Sequence, residues 1–260
     1  EVIRSALALK LHQFEDTGAI VAASTTSLPE SDQSGRNWDY RFCWMRDSFY
    51  VLKALFDVGH TNEIVKYEKF IHNIARNEKN RIQPLYALDG SKKIEEKEIP
   101  LQGYKGNQPV RLGNQAYTHI QNDVYGQMLL SLAPLFLDER IRQPKGRENI
   151  PTISSLLEKI ENCFDEPDAG LWEFRNTEQY HTYTYLFHWA GAKVTKKIAN
   201  KFNDIELKER AEKLEERSSE KIEEAFDRER GVYTQAIGQK NLDASLLQMI
   251  SMRYLDPNSD

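Results

Sequence analysis

Apolar residues recur at helical spacing along most of the chain, and the stretches between them carry the unusual residues. Val2, Ile3, Ala6, Leu7, Leu11 and Phe14 fall near three- and four-residue steps, so residues 1–14 read as an amphipathic helix, ended at Gly18. The apolar run 19–23 reads as a short strand, and residues 29–37, rich in Ser, Asp and Gly, as a loop. Phe49, Leu52, Leu55 and Phe56 line one face up to Gly59; Thr61 caps a further helix carrying Ile64, Tyr67, Ile71 and Ile74. Residues 80–113 show no sustained period and hold Pro84, Gly90, Pro100, Gly103, Gly106, Pro109 and Gly113. A loop of that length is uncommon in a compact domain and usually functional. From Asn114 the stripe Ala116, Ile120, Val124, Met128, Leu132 and Leu135 predicts a strong helix, and others follow near 151–164, 178–194, 205–226 and 242–253. The 205–226 stretch mixes Glu with Lys and Arg at helical spacing, a solvated face with weak ion pairs. Roughly eight helices and almost no strand make the expected fold class all-α.

Composition narrows this picture. With 260 residues, 40% of them hydrophobic and 4 Trp, 12 Tyr and 11 Phe among them, the chain can bury a sizeable core without staples. A net charge of −5 argues against a nucleic-acid binder, which needs a concentrated basic face. The longest apolar stretch, 128–137, is broken by Ser131 and Pro134 and is far shorter than the roughly 18 residues of a membrane span. Cys43 and Cys163 make neither a disulfide framework nor a zinc spacing, so a reducing, cytoplasmic setting is expected. The chain opens at Glu1 already inside a helical pattern, so a longer parent polypeptide is expected too.

Most catalytic templates fail: there is no Walker A loop, no dinucleotide fingerprint, no HExxH, no GxSxG and no EF-hand, and no metal or organic cofactor is expected. His181 and His188 lack a third ligand and read as ordinary core or surface histidines, and Cys43 as a small buried hydrophobe. Three segments stand above this background. In residues 38–47, Arg46 and Asp47 supply a planar donor fork and an acceptor, while Tyr40 and Trp44 supply flat apolar faces. Those are the parts that hold a sugar ring, although a helix start with a surface ion pair would read the same. In residues 168–175, Glu173 stands between Trp172 and Phe174, where partial desolvation would raise its pKa and keep it protonated as a general acid. A loop glutamate paired with Arg175 is the plainer alternative. Residues 103–114, closed by Gln121, Asp123 and Tyr125, add polar groups in an irregular loop.

In this order and spacing the segments resemble glycoside hydrolase family 15, the glucoamylases, glucodextranases and bacterial trehalases. The resemblance is carried by residues 36–47, 85–90, 103–114, 123–126, 170–173 and 242–247. It implies an (α/α)₆ toroid of twelve helices, of which this chain supplies about eight, residues 1–260 being a single, partial catalytic domain. It implies inverting hydrolysis of terminal non-reducing α-glucosidic bonds, glucoamylase-like, without a cofactor, on an α-glucan oligosaccharide or an α-linked glucose disaccharide. Carried over residue by residue, Glu173 falls on the general acid, with Trp172 beside it on the substrate side. Arg46 and Asp47 fall on the pair that grips the terminal glucose, and Tyr40 and Trp44 on the aromatic walls of that subsite. Arg111, Asn114, Gln121 and Asp123 match a bacterial-type pattern whose roles the resemblance places only loosely, and Arg111 joins the substrate-binding set. The fungal pattern has another acidic residue directly after the acid, where this chain has Phe174, so linkage preference is open: trehalase and glucodextranase remain alternatives.

The general base of the family is a glutamate late in the barrel. Glu223, Glu224 and Glu229 sit in no such motif, so the base is expected outside residues 1–260. A non-catalytic relative, like the toroid in regulatory subunits of phosphorylase kinase, is the alternative of another class. An incomplete barrel would also expose an apolar face at Ile222, Phe226, Leu246 and Met249, through which the isolated chain would self-associate.

Overall fold

The computed structural model describes residues 1–78, 80–141 and 144–258. The chain divides into two compact units at His119 and Ile120.

The first unit holds three helices, α1 (Val2–Leu11), α2 (Met45–Asp57) and α3 (Asn62–Asn77). The predicted stripes form most of the buried faces of the latter two: Phe49, Leu52 and Leu55 on α2, joined by Met45 while Phe56 is only half-buried, and Ile64, Tyr67, Ile71 and Ile74 on α3, joined by Phe70. Helix α1 ends earlier than its pattern suggests and buries none of its residues. Its Lys10 reaches across to Glu63, a buried acid of α3, at 2.9 Å. The run 19–23 contributes one isolated bridge, Ile20 with Gln13, rather than a strand.

Three small antiparallel pairs complete this unit: β1 (Thr26–Pro29) with β2 (Asn37–Asp39), β3 (Cys43–Trp44) with β4 (Leu85–Tyr86), and β5 (Lys97–Ile99) with β6 (Val110–Leu112). The irregular stretch 80–113 is therefore partly strand. Its strands of two or three residues are too short to show an alternating pattern in the sequence.

The second unit is more helical: α4 (Val124–Leu137), α5 (Ile150–Cys163), α6 (Thr182–Phe202), α7 (Ile205–Glu224) and a short α8 (Gln248–Ser251). One further strand pair, β7 (Phe226–Asp227) with β8 (Val232–Tyr233), follows α7. Helix α6 packs on both α4 and α7. Against α4 the approach is backbone to backbone: a Cβ on Gly126 would lie 2.1 Å from the Phe187 carbonyl oxygen. Asn203, in the left-handed region at φ 52°, ends α6, and the Asp204 side chain accepts from Leu207 N–H at 3.1 Å to open α7. The charge-laced α7 turns Leu207, Ala211, Leu214, Ser218 and Ile222 inward, which is the expected solvated helix with one buried stripe.

Four expectations need correction. The helix predicted from Asn114 begins only at Val124; Asn114 instead caps a 3₁₀ turn, Gln115–Thr118, by accepting from Ala116 N–H. Residues 120–122 cannot join α4, because the Ile120 carbonyl accepts from Ala169 N–H and Asn122 N–H donates to the Asp168 carboxylate. The helix predicted over 178–194 starts at Thr182, since Gln179 and His181 form bridges to Asp168 and Ala236, and it runs on to Phe202. The helix predicted over 242–253 is a 3₁₀ turn, Ala244–Leu247, followed by the four residues of α8. Of the apolar face expected at the end of the chain, Ile222 and Met249 are buried and Phe226 and Leu246 half-buried, while the neighbouring Leu242, Leu247 and Ile250 are the ones exposed. The exposed large apolar side chains include Val2, Ile3, Leu7 and Leu11 of α1. Among the described residues, no helix is long and apolar enough to cross a membrane.

Candidate active site

In the first unit, residues 38–47 run from β2 through β3 into the first turn of α2. Arg46 and Asp47 occupy that turn, with Nη2 and Oδ2 3.3 Å apart, the guanidinium mostly enclosed and the carboxylate partly open. Asp47 at a helix start is favoured by the unpaired N–H groups there. Trp44 is 1% exposed and packs with Leu85, Ile94 and Ala116, so it belongs to the core; Tyr40 stands at its edge, ring centroids 5.9 Å apart. The Tyr40 hydroxyl donates to Glu30 at 3.0 Å.

Buried Asp39 ties this segment to the loop after β6. Its carboxylate takes two bonds from Arg41, each 2.8 Å, and one from Gly113 N–H at 3.1 Å, while the Asn114 amide donates to its carbonyl. Arg111 lies over the Trp38 ring at 4.5 Å and donates to the carbonyls of Gly35 and Asn37 and to Glu98. Its fork thus serves the protein. Cys43 is buried with its sulfur 3.4 Å from Ser48 Oγ, and burial pushes its thiol up to about 12, which leaves it protonated and inert.

In the second unit, Glu173 sits on a tight loop. Asp168 and Gln179 exchange backbone bonds at 2.9 and 3.0 Å, and Ala169 N–H donates to Ile120. Glu173 N–H then donates to the Gly170 carbonyl and Phe174 N–H to that of Ala169, both at 3.1 Å. Glu173 itself takes φ 57°, in the left-handed region that side-chain-bearing residues avoid. Such strain persists only where the surroundings over-determine the backbone, and it concentrates at functional sites. The Glu173 residue is half-buried, but Trp172 and Phe174 are 58% and 40% exposed. The two aromatics therefore do not form the dry enclosure the sequence suggested. Trp172 is held by its edge, Nε1 donating to Asp243 at 2.6 Å, and Phe174 stacks on the His181 ring at 6.1 Å.

Beneath the loop lies a buried polar group. Burial, followed by the charge of buried Asp123, raises Asp168 to about 7 against three bonds that favour its ionised form. Asp123 accepts from Gln127 at 2.6 Å. Burial also lowers His181, and it lowers His188, whose Nε2 is 2.9 Å from the Asn122 carbonyl oxygen, to about 4. Both histidines are core residues, and among the described residues no three His, Cys, Asp or Glu side chains gather as a metal site.

The structure thus assembles Tyr40, Trp44, Arg46 and Asp47 in one unit, and Trp172 and Glu173 with Asp168, His181 and Asp243 in the other. Asp168 and Asp243 had no assigned role in the sequence. Each lies inside a segment singled out there, and an Asp two residues before a backbone N–H it can bond is the local signal, used by Asp168 on Gly170 and by Asp243 on Ser245.

A family model for glycosyl hydrolases family 15 matches residues 1–260. A trehalase of Thermoplasma volcanium is 33% identical over 263 aligned residues, covering 100% of this chain and 41% of that protein. Among solved structures, a glycosidase variant in complex with glucose aligns over 99% of this chain and 65% of its own, with TM-score 0.69 and 17% identity. The glucoamylase of Saccharomycopsis fibuligera aligns over 95% of this chain and 52% of its own, with TM-score 0.57 and 17% identity. At that identity the structural likeness speaks to fold alone, and the fold is all-α of the glucoamylase type. The chain spans about two-fifths of the length of the curated relatives it matches. With its whole length matched by the family model and a relative above 30% identity over that length, the chain belongs to glycosyl hydrolase family 15.

Proposed function

We propose that residues 1–260 are the acid-bearing part of one inverting α-glucosidase catalytic domain that removes a terminal glucose, with trehalose as the first substrate to test. The observation that carries this reading is Glu173, held in a strained left-handed backbone on a loop whose neighbours are pinned on both sides. Glu173 donates its proton to the departing glycosidic oxygen as the bond to the anomeric carbon breaks. A second carboxylate on the opposite face, about 6.5–9.5 Å from the acid, takes a proton from the water that attacks that carbon. That base is supplied from outside residues 1–260; the greater length of the relatives supports this. Arg46 and Asp47 grip the hydroxyls of the terminal glucose whose anomeric carbon is attacked, with Tyr40 and the Trp44 region as apolar backing. The reaction needs no cofactor.

The sequence put a glucoamylase-like activity first. The trehalase name of the matched relative favours the disaccharide instead, and Phe174 in place of an acidic residue leaves room for it. Two free, buried cysteines support a cytoplasmic setting.

The test is steady-state turnover of the full natural polypeptide on trehalose, maltose and α-glucosyl fluoride. Glu173→Gln is expected to lower turnover on the better disaccharide by about 10²- to 10⁴-fold, because an amide cannot supply the proton, with a much smaller loss on the fluoride. A higher kcat/KM on maltose than on trehalose would restore the glucoamylase-like reading. No turnover of any α-glucoside would favour the non-catalytic one.

A further inference from the structure

The carboxylate of Asp168 is 1% exposed and joins three separate pieces of chain. Oδ2 accepts from Asn122 N–H at 2.8 Å, just ahead of α4, and from the Thr184 hydroxyl at 2.9 Å, in the first turn of α6. Oδ1 accepts from Gly170 N–H at 3.1 Å, where the Glu173 loop begins. The loop is thus anchored to two long helices by one side chain. Its underside is the His181 ring, 4% exposed, which stacks on Phe174 and leaves no room beside Gly170. A Cβ there would meet Nε2 at 2.5 Å, and Gly170 already has φ 67°. The same Nε2 lies 3.9 Å from Asp168 Oδ1 and has no hydrogen-bond partner among the described residues. Both ends of the turn that forces Glu173 into the left-handed region therefore rest on this pair, Gly170 on the carboxylate and Phe174 on the ring.

We propose that Asp168 is a positioning residue for Glu173, fixing the acid loop to α4 and α6 through Gly170 with the His181 ring as its seat. The proposal rests on the assignment of Glu173 as the general acid. A proton donor must meet the leaving oxygen within a few tenths of an ångström, so loosening its loop costs the protonation step more than it costs binding.

Kinetics of the full natural polypeptide on the better of trehalose and maltose, and on α-glucosyl fluoride, test this. Asp168→Asn places an amide N–H₂ against N–H donors; the expected result is at least about a tenfold fall in kcat on the disaccharide, with KM within about twofold and less than about a threefold fall on the fluoride. Thr184→Val leaves the carboxylate and the loop in place and removes one donor; a fall of about three- to fivefold with the same substrate dependence is expected. Equal losses on both substrates, or an unchanged disaccharide kcat, overturn the proposal, since a merely structural defect does not discriminate between leaving groups. Should Asp168→Asn fail to fold, Thr184→Val decides on the same criterion. Glu173→Gln separates the two claims. If it keeps full disaccharide turnover, the acid assignment falls and the positioning role with it; if it loses turnover while Asp168→Asn does not, only the positioning role falls.

Discussion

The indole N–H of Trp172 donates to Oδ2 of Asp243 at 2.6 Å, joining the residue before Glu173 to one 71 positions further along the chain. The other oxygen of Asp243 accepts from Ser245 N–H at 2.8 Å and caps the turn Ala244–Leu247. One carboxylate thus holds a helical turn and the outer side of the Glu173 loop together, while Asp168 holds the inner side. Charge-assisted bonds of this length are among the stronger ones, although exposure of the indole discounts this one.

Asp243→Ala removes both bonds. The expected cost is about 1 kcal/mol for the lost cap, read as a lower urea midpoint, together with a several-fold fall in kcat on the disaccharide. Asp243→Asn keeps one carbonyl-type acceptor and should lose less stability than the alanine variant. An alanine variant with the parent's midpoint and the parent's kcat would show that the Trp172 link does nothing.

Arg46→Ala tests the glucose grip. A hydrogen bond to a charged group is worth roughly 1.5–3 kcal/mol, so kcat/KM should fall by more than about tenfold. The loss should be alike on the disaccharide and on α-glucosyl fluoride, because both reactions hold the same glucose, and Asp47 would also lose its 3.3 Å partner. A loss confined to one substrate would move Arg46 out of that subsite.

The helices that bury one stripe are legible in the sequence alone. Ile64, Tyr67, Ile71 and Ile74, or Leu52 and Leu55, needed only their spacing, because a period-3.6 pattern is written locally. The start of α4 was not legible. Ile120 keeps the helical spacing, but its carbonyl is committed to Ala169, a partner that no local pattern announces. Trp44 shows the same limit from the other side: its motif suggests an exposed aromatic wall, but burial among Leu85, Ile94 and Ala116 is decided by residues far away in sequence. The motif singles out Glu173 as a candidate, whereas its φ of 57° and the anchoring of its loop by Asp168 are products of the fold.

The pH dependence of stability should carry two opposed contributions. Asp168 has its pKa raised from 3.8 to about 7, so between those values the folded chain holds a proton the unfolded one has lost, and stability falls as pH rises. His188 is lowered from 6.5 to about 4, so between those values the unfolded chain holds the extra proton, and stability rises with pH. Each slope is at most about 1.4 kcal/mol per pH unit, and the two overlap over most of the window. His181, also lowered, adds to the second. Removing one uncovers the other. Urea midpoints of His188→Gln should therefore drop from pH 4.5 to 6.5 relative to the parent, and those of Asp168→Asn should climb. A difference from the parent that stays constant across this range would show that neither group titrates as its burial requires.

Residues 1–260 by themselves should hydrolyse neither trehalose nor α-glucosyl fluoride at a measurable enzymatic rate. The fluoride leaves without much help from an acid, so its turnover isolates the other half of the reaction, the activation of water. Glu223 bonds the hydroxyls of Tyr233 and Tyr254 at 2.7 and 2.8 Å, and Glu224 pairs with Lys221 at 3.0 Å. Glu223 and Glu224 are thus engaged in side-chain contacts of their own, in keeping with the proposal that the base comes from outside residues 1–260. On the proposed reading, a polypeptide that also carries the base should show both activities together. Turnover of the fluoride by the 260 residues alone, abolished when Glu229 or one of the α7 glutamates is changed to Gln, would place the base inside this chain and overturn the division of labour proposed here.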